Sequence, residues 1–286
     1  MPELPEVETI RRQLSEKIGG LTIAGATVYL NKVIKEPSPE LFVREIRGRK
    51  ISGITRRGKY LLFDLSGGYL LVIHLRMSGQ LVYESETAPQ PHHTHMLLHL
   101  ERGRLRLTDV RQFGRIWLLP AEESWRMAEL RKLGPEPLSA DFTETYLRNR
   151  LKNSRRQVKP VLLDQEIVAG IGNIYADEAL HMAELHPGRR SDGLTVREVK
   201  KLYRAVKEVL QEGILHRGTS IQNYVDAEGQ KGTHQDFLRV HNRAGQPCPR
   251  CGTAVTKIKL GGRGTYFCPG CQTLRGLNLK GGDGLE

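Results

Sequence analysis

The sequence predicts an α+β protein of several domains: a β-sandwich with one helix before it, a helical domain, and a small metal-binding hairpin. Three observations predict this class. Short runs of β-branched and apolar residues, separated by turn residues, fill most of positions 21–120. Apolar residues at helical spacing follow beyond position 141. Four cysteines then stand in two close pairs between positions 248 and 271.

The first element is a helix at the amino terminus. Its apolar residues recur at three- and four-residue spacing, at Val7, Ile10, Leu14 and Ile18. This spacing places them on one face of a helix, and Gly19-Gly20 can end it. The helix is therefore expected to bury one side against the following strands.

Seven strands are predicted after this helix. They span 21–30, 50–56, 60–65, 69–75, 95–100, 104–108 and 114–119. Ser66-Gly67-Gly68 and Arg102-Gly103 are typical of hairpin turns between them. Regular strands with short turns favour a β-sandwich or a flattened barrel.

The pattern changes near Leu133-Gly134-Pro135-Glu136-Pro137, where two prolines and a glycine indicate a linker. Helices are predicted over 141–152, 159–168, 173–184 and 196–212, the last closed by Gly213. Segment 217–236 is predicted to be a long functional loop. The expected domains are 1–132, a linker 133–140, a helical domain 141–236, a finger 237–273 and a disordered tail 274–286.

Composition favours a polyanionic partner and excludes some classes. The chain has 286 residues and a formal net charge of +12, which suits binding to nucleic acid. No apolar stretch is long enough to span a membrane, and none follows a basic start as in a signal peptide. Clustered cysteines favour a metal in a reducing compartment over secreted disulfides. We expect a cytoplasmic, nucleoid-associated protein with no membrane partner.

The cysteine spacing predicts one structural zinc ion. Cys248-x2-Cys251 and Cys268-x2-Cys271 are separated by sixteen residues, and four thiolates leave no open coordination position. A metal-free cluster of thiols is the alternative. Strands over 254–260 and 265–268 predict a hairpin whose tip is Gly261-Gly262-Arg263-Gly264. Arg263 suits a bidentate contact with phosphate, although a solvated turn residue is an equal alternative from the local sequence.

The amino terminus carries the groups needed for covalent amine catalysis. Because Pro2 is small, removal of Met1 is expected, which leaves a secondary amine able to attack an electrophilic carbon. Glu3 and Glu6 are close enough in sequence to move protons. Without further information, Pro and Glu are also simply favourable residues for the first turn of a helix.

The first ten residues, Met1–Ile10, resemble the amino-terminal signature of the formamidopyrimidine-DNA glycosylases, and the similarity extends over 1–273. It implies a bifunctional DNA glycosylase and abasic-site lyase of base excision repair. The implied substrate is double-stranded DNA with oxidised purines such as 8-oxoguanine and formamidopyrimidines. A monomer is expected. Residues 274–286 have no counterpart in the family pattern.

The resemblance also implies a reaction. The Pro2 nitrogen attacks the sugar C1′ as the damaged base leaves, and the ring opens to a Schiff base. Glu3 handles protons at the ring oxygen and the base, and Glu6 supports the relay or the position of Pro2. Successive β- and δ-eliminations then remove the 3′ and 5′ phosphates and leave a one-nucleotide gap.

Several DNA contacts are implied in the β-domain and the finger. By resemblance, Lys59 grips the phosphate beside the lesion and supports the reaction, and Arg263 contacts a phosphate beside the damaged nucleotide. His74 matches a further phosphate contact. The trio that fills the hole left by an extruded base corresponds to Met77, Arg111 and Phe113.

Two further segments resemble parts of the family that handle DNA. Leu163–Ala179 is similar to its helix–two-turn–helix, in which Asn173 holds a phosphate. Local sequence alone favours helix capping for this asparagine. Gly218–Tyr224 resembles the mobile segment that closes over the flipped base, with Ser220 and Tyr224 as candidate contacts.

Three other functions compete with this interpretation. An endonuclease-VIII-like enzyme would prefer oxidised pyrimidines, but the trio and the long 217–236 loop favour the purine branch. A non-catalytic damage sensor would not need Pro2, Glu3 and Lys59 intact. A zinc-finger transcription factor would leave most of the chain unexplained.

Overall fold

The computed structural model describes residues 1–274 and forms two compact units. Unit 1 comprises Met1–Asp141, Asp164–Gly172 and Val209–Phe237; unit 2 comprises Phe142–Leu163, Asn173–Glu208 and the chain from Leu238. The tail predicted over 274–286 lies, beyond Leu274, outside the described residues. No helix within residues 1–274 is long and apolar enough to cross a membrane.

Unit 1 is a β-sandwich with a helix at its start. Its helices are α1 (Leu4–Ile18), α2 (Pro39–Ile46) and α3 (Ala128–Arg131). Its strands are β1 (Ile23–Val28), β2 (Ile34–Glu36), β3 (Ile51–Arg57), β4 (Tyr60–Leu65), β5 (Tyr69–His74), β6 (Gly79–Glu84), β7 (Thr94–Leu100), β8 (Arg104–Asp109) and β9 (Arg115–Pro120). One sheet has the order β1-β7-β8-β6 and the other β2-β9-β5-β4-β3. Only the short β2–β9 pair is parallel among these strands.

A single apolar core joins the two sheets and α1. The α1 residues Val7, Ile10, Leu14 and Ile18 are all buried in it, as their spacing predicts. Alternate residues of both sheets face the same core, for example Phe63 of β4 and Leu107 of β8. The predicted sandwich is therefore confirmed, and all seven predicted strands are present with ends shifted by only a few residues.

Four elements of unit 1 were missed by the sequence analysis: the three-residue β2, the four-residue α3, and the longer β6 and α2. Strand β6 begins with a glycine and has an apolar stretch of only Leu81-Val82-Tyr83, so its identity depends on pairing with β8. Helix α2 has eight residues, starts at a proline and is capped by the Ser38 hydroxyl, which accepts from Leu41 N at 3.3 Å. Both are too short for their periodicity to be read reliably.

Unit 2 contains α4 (Glu144–Lys152), α5 (Val158–Leu163), α6 (Asn173–Met182) and a hairpin of β10 (Thr256–Leu260) and β11 (Arg263–Phe267). Helix α7 (Val196–Leu215) begins in unit 2 and ends in unit 1. These elements confirm the α+β class.

Two predicted helix ends were wrong. The helix predicted over 159–168 ends at Leu163 because Asp164 starts a new turn, accepting from Glu166 N at 3.0 Å through Oδ1. Gly213 does not end α7, which continues to Leu215. The helix stops where Arg217 and Gly218 adopt left-handed backbone, at φ values of 59° and 82°.

Candidate functional site

The first turn of α1 holds a buried pair of carboxylates. Glu3 and Glu6 are 2% and 1% exposed, and Pro2 beside them is also buried. Glu3 N donates to Glu6 Oε2 at 2.7 Å, as in a capping box. The start of the chain is thereby fixed inside unit 1, with both predicted proton-handling groups next to Pro2.

Two glycines of the segment Asp164–Gly172 allow this start to pack closely. A Cβ on Gly172 would lie 2.3 Å from Glu3 Cδ, far inside van der Waals contact. Gly170 has a φ of 87°, and its carbonyl accepts from Leu4 N at 3.0 Å. The two glycines therefore shape the wall against which Glu3 and Leu4 rest.

The loop predicted over 217–236 contacts the same carboxylate pair. Thr219 N donates to Glu6 Oε1 at 2.8 Å, so Glu6 accepts from two backbone groups more than 200 residues apart in sequence. Asp226 anchors the far side of the loop, accepting from the side chains of Gln13 and Arg217. Apart from its last residues, the loop forms no helix or strand in the described structure, as predicted.

The polar groups of the two candidate lesion contacts in this loop bond mainly to the loop itself, and the Tyr224 hydroxyl also lies 3.4 Å from Glu6 O. Ser220 Oγ donates to Tyr224 O and accepts from Gly232 N, both at 2.9 Å. The Tyr224 ring is 7% exposed, and its hydroxyl donates to Arg217 O at 3.1 Å. Burial, with the nearby Glu6 and Asp226 charges, raises the pKa of Tyr224 well above its usual value. Tyr224 is therefore a neutral donor that supports the loop from inside.

Lys59 lies in the tight turn between β3 and β4 and is 7% exposed. The turn is held by a carboxylate from the segment predicted as a linker: Glu136 Oε1 accepts from Gly58 N at 2.6 Å. Arg56 and Arg57 also donate to the Glu136 carboxylate, at 2.6 and 3.1 Å. Glu136 thus fixes the backbone that carries Lys59.

His74 ends β5 directly across from Tyr60 of β4, and the two rings pack edge to face with centroids 4.3 Å apart. Burial, with the nearby Arg76 and Lys59 charges, lowers the pKa of His74 to about 3. The ring is therefore neutral, and its Nδ1 accepts from Arg76 N at 3.0 Å. The proton must then be on Nε2, which makes His74 a neutral N–H donor suited to phosphate oxygen.

The loop after β8 is organised by a fully buried carboxylate. Asp109 Oδ2 accepts from Phe113 N at 2.8 Å and from Gly114 N at 2.7 Å. Asp109 Oδ1 accepts from Arg111 N at 3.2 Å and from the Ser78 hydroxyl. This loop is rigid because one side chain satisfies its successive backbone donors.

This arrangement presents the predicted base-filling trio at the surface of unit 1. Met77 and Phe113 are 42% and 43% exposed, and Arg111 is exposed with its guanidinium carbon 5.1 Å from the Phe113 ring centre. Ser78, next to Met77, is bonded to the same Asp109 that holds the other two. All three are therefore presented by one hydrogen-bonded network. Exposing the apolar side chains of Met77 and Phe113 to water costs free energy.

In unit 2, Asn173 begins α6 and contacts the hairpin. Its Nδ2 donates to Gly264 O at 2.9 Å, which leaves the second N–H of the amide for another acceptor. Lys159 Nζ, also buried, donates to Thr265 Oγ1 at 2.8 Å and pairs with Asp177 at 2.7 Å. These contacts fix the residues that follow Arg263.

Arg263 is exposed at the start of β11, paired with Leu260 of β10. The predicted four-residue tip was too long, because Gly261-Gly262 alone forms the turn, both with positive φ. Two such residues match a turn whose twist suits a hairpin. Arg263 consequently has a strand backbone fixed by pairing and an exposed side chain.

The four cysteines form a metal centre. Their Sγ atoms all lie within 4.8 Å of one another, with 3.9 Å between Cys248 and Cys271 and 3.4 Å between Cys251 and Cys268. A tetrahedral Zn²⁺ with Zn–S bonds of about 2.3 Å requires sulfurs about 3.8 Å apart. The residues therefore fit one structural zinc ion, as predicted.

Helix α6 supports this finger with buried acids. The Glu178 carboxylate accepts from the backbone N–H groups of residues 239–241 at 2.8–2.9 Å. Asp177 Oδ2 accepts from His241 Nδ1 at 2.8 Å. Both acids are therefore engaged in contacts that hold residues 239–241 against α6.

Sequence reasoning missed Glu136, Asp109 and Thr219 as supports of the site. Each acts on residues far away in sequence or through a backbone atom, and such contacts leave no local pattern. The one available signal for Asp109 was an acid directly before a short loop with a glycine at its end, which is typical of side-chain capping of backbone donors.

Comparisons with protein families match nearly the whole chain. Residues 1–116 match the formamidopyrimidine-DNA glycosylase N-terminal domain, residues 133–225 the H2TH domain of formamidopyrimidine-DNA glycosylase, and residues 245–274 a zinc finger found in FPG and IleRS.

Individual proteins are similar over the same length. The chain is 50% identical to a formamidopyrimidine-DNA glycosylase of Pelotomaculum thermopropionicum, covering 96% of this chain and 100% of that protein. It is 49% identical to one of Heliobacterium modesticaldum, covering 95% and 100%. A Lactococcus lactis FPG mutant in complex with Fapy-dG-containing DNA aligns with a TM-score of 0.90 and 39% identity, covering 95% and 100%. A complex of Lactococcus lactis Fpg with abasic-site DNA aligns equally well, with 95% and 99% covered.

Proposed function

The chain belongs to the formamidopyrimidine-DNA glycosylase family, and we propose that it excises oxidised purines from DNA and then cleaves the strand at the abasic site. The proposed substrates are 8-oxoguanine and formamidopyrimidines in double-stranded DNA. The chain would act as a monomer on the nucleoid, in the cytoplasm. Lesion-containing DNA in the complexes of similar proteins supports this substrate class.

The observation that carries the proposal is the buried Pro2-Glu3-Glu6 cluster. A prolyl nitrogen freed by removal of Met1 is a secondary amine held beside two carboxylates. Burial in a fixed geometry is what covalent catalysis requires, since reacting atoms must be pre-positioned. A protein that only bound DNA would gain nothing from burying two acids at its first turn, because each costs desolvation free energy.

The chemistry would proceed from this cluster. The Pro2 nitrogen attacks C1′ and the C1′–base bond breaks, and the proton that the amine loses goes to the departing base. Glu3 protonates the sugar ring oxygen, so that the ring opens to an iminium on Pro2. The iminium withdraws electrons, which lets a proton leave C2′ and the 3′ phosphate depart, followed by the 5′ phosphate. Glu6, fixed by Glu3 N and Thr219 N, holds the start of α1 in position.

The remaining site residues would bind the DNA that carries the lesion. Lys59 and Arg263 supply positive charge to phosphates, and His74 supplies a neutral Nε2–H donor. Met77, Arg111 and Phe113 would occupy the space of the extruded nucleotide, because apolar wedges and an arginine suit an opened base step. Asn173 would give its second amide N–H to a phosphate. Zinc, when bound to the four cysteines, holds the hairpin that carries Arg263 and takes no part in bond breaking.

The test is strand cutting with matched duplexes. One duplex carries 8-oxoguanine opposite cytosine and the other carries thymine glycol opposite adenine. The parent chain is expected to cut the purine duplex faster and to leave phosphates on both sides of a one-nucleotide gap. Cutting by E3Q should fall at least about 100-fold, because a positioned acid–base group contributes about that much. E16Q, at an exposed position on the same helix, is the control and should cut like the parent.

Three outcomes would contradict the proposal. Faster cutting of the thymine glycol duplex would favour an endonuclease-VIII-like specificity. Tight binding of the lesion without cutting would favour a damage sensor. Equal cutting rates for E3Q and the parent would show that Glu3 takes no part in the reaction.

A further inference from the structure

One face of α6 contacts the zinc finger at regular intervals. Asn173, Asp177 and His181 are spaced four residues apart, so their side chains lie along the same side of the helix. Asn173 and Asp177 bond the backbone of β11, Asn173 through Gly264 O as described above and Asp177 through Tyr266 N at 3.2 Å. His181 contacts the metal centre itself. This third contact has no part in the function proposed so far.

The contact joins His181 Nε2 to the Sγ of Cys248, 3.3 Å apart, within hydrogen-bonding range for a sulfur acceptor. His181 is 1% exposed and Cys248 is 3% exposed, so water does not compete for either group. A zinc-bound cysteine is a thiolate, which has no proton and only accepts hydrogen bonds. The imidazole must therefore be the donor if the pair is bonded in the zinc-loaded protein.

The other ring nitrogen is consistent with this proton position. His181 Nδ1 is buried and has no hydrogen-bond partner among the described residues. An unpaired lone pair is tolerated inside proteins more readily than an unpaired N–H, so the proton belongs on Nε2. The tautomer that the surroundings favour is thus the one that donates to Cys248.

The ring is also held in place from its backbone. Arg250, between the first two cysteines, donates from Nη1 to His181 O at 3.4 Å and to Glu184 Oε1 at 2.9 Å. Its Nη2 donates to Met182 O at 3.4 Å. Arg250 therefore ties the end of α6 to the Cys248–Cys251 turn, in addition to the contact made by the imidazole.

We propose that His181 donates a hydrogen bond from Nε2 to the Cys248 thiolate, and that this bond holds electron density on the sulfur and slows loss of zinc. His181 is a positioning residue of the metal centre. Partners of this kind, which bond a metal ligand without touching the metal, change metal affinity by about 10–100-fold when removed. The inference rests on zinc binding by the four cysteines and is independent of the glycosylase reaction.

The test compares two variants in the full chain. H181F keeps a ring of similar size but has no donor, whereas H181Q keeps an N–H donor at a similar reach. Zinc transfer to a chromogenic chelator is expected to be about 10-fold faster for H181F and close to the parent rate for H181Q. H92F, which removes an exposed histidine of unit 1, is the control and should keep the parent rate.

Cobalt spectroscopy measures the energy of a charge-transfer band, which a change in packing alone would not alter. With Co²⁺ in place of zinc, the sulfur-to-cobalt charge-transfer band of H181F should shift to lower energy, because a thiolate without a hydrogen bond is more easily oxidised. The H181Q band should lie near that of the parent. Parent-like release and an unchanged band in H181F would overturn the proposal and leave His181 as a space-filling residue.

A measurement on the parent chain covers the case in which a variant fails to fold. Nitrogen-15 spectra of the zinc-loaded protein labelled at histidine should show a protonated Nε2 and an unprotonated Nδ1 for His181. The reverse tautomer would overturn the proposal. A nitrogen shift typical of metal ligation would also overturn it, since His181 would then be a zinc ligand in place of a cysteine.

Discussion

At the scale of single residues, the position of Glu3 depends on the missing side chain of Gly172. The glycine lets the Asp164–Gly172 segment touch the carboxylate directly. Such a close contact limits where the Glu3 carboxylate can lie. The position of Glu3, and with it the reactivity of the site, therefore depends on Gly172 having no Cβ atom.

The substitution G172A tests this dependence. A Cβ at this position would lie 2.3 Å from Glu3 Cδ, so Glu3 must move. Cutting of 8-oxoguanine DNA is expected to fall about 100-fold, which is the usual cost of displacing a reacting group by about 1 Å. Single-turnover rates would measure it.

The matched control is G25A in β1, where an added Cβ meets nothing within 4 Å. Its rate should equal that of the parent. A G172A rate within about threefold of the parent would mean that Glu3 adapts to the extra methyl group, contrary to the account.

His74 makes a second residue-scale prediction, which concerns pH. Its pKa is about 3 in the folded chain, lowered mainly by burial, against about 6.5 when unfolded. Between about pH 6.5 and pH 3, the His74 imidazole therefore binds a proton in the unfolded chain but not in the folded chain. The contribution of His74 to the free energy of unfolding is complete above pH 6.5 and is lost progressively as the pH falls towards 3.

Urea unfolding of the parent and H74N at pH 6 and pH 4 measures this effect. In H74N the amide oxygen can still accept from Arg76 N, but no titration remains. The pH dependence should be shallower in the variant by about 1.4 kcal/mol per pH unit. Equal slopes for the two proteins would show that His74 is protonated in the folded state.

At the scale of elements, the strands and the first helix were predictable because their patterns are long and regular. The α1 stripe and the seven strands each carry enough alternation or helical spacing to stand alone. By contrast, β6 is a strand because β8 pairs with it, and the end of α7 is set by left-handed residues beyond Gly213. Such features depend on contacts that a local window does not contain.

The same division holds for the site. The zinc ligands follow from spacing and chemistry, whereas the catalytic roles of Pro2 and Glu3 and the DNA contacts depend on the family resemblance. Neither local sequence patterns nor the resemblance identified the residues that hold the site in place. Glu136 bonds a turn about 80 positions earlier in the chain, and Asp109 bonds backbone atoms. The catalytic and DNA-binding roles of all the site residues, including Ser220 and Tyr224, and the domain boundaries at 132 and 140 stay predictions.

The loop after β8 gives the prediction at this scale. D109N would replace one acceptor oxygen of a fully buried carboxylate with an NH₂ group facing backbone donors. The free energy of unfolding should fall by about 2 kcal/mol, the cost of leaving buried donors unsatisfied. Affinity for lesion DNA should fall as well, because Arg111 and Phe113 lose their fixed positions.

Chemical unfolding and fluorescence anisotropy with an abasic-site duplex would measure the two effects. D64N, an exposed acid on β4, serves as the control for the same change of charge. If D109N bound DNA as tightly as D64N, the Asp109 network would not be what presents the trio.

At the scale of the whole molecule, unit 1 and the zinc finger differ in what stabilises them. Unit 1 has a large apolar core shared by two sheets and α1. The finger has a buried cluster of only Val240, Cys248, Val255 and Cys268. A core of this size does not stabilise a fold by itself, so the metal must supply much of the free energy.

Zinc removal should therefore act mainly on the finger. Treating the reduced protein with a strong chelator is expected to lower affinity for abasic-site DNA at least about 10-fold, since Arg263 loses its hairpin. The urea transition of unit 1, followed through Trp117 and Trp125 fluorescence, should be retained. Added zinc should restore binding, and added magnesium should not, because thiolates select the softer ion. Full affinity after proven metal loss would contradict a structural role for zinc.

The central claim is that the Pro2 nitrogen forms a covalent bond with the sugar. Borohydride reduction during reaction with an 8-oxoguanine–cytosine duplex, followed by mass mapping of the trapped peptide, tests it most directly. The account predicts an adduct on the Pro2 nitrogen of a chain that has lost Met1. An adduct on Lys59 instead, or none from protein proven to lack Met1, would contradict it.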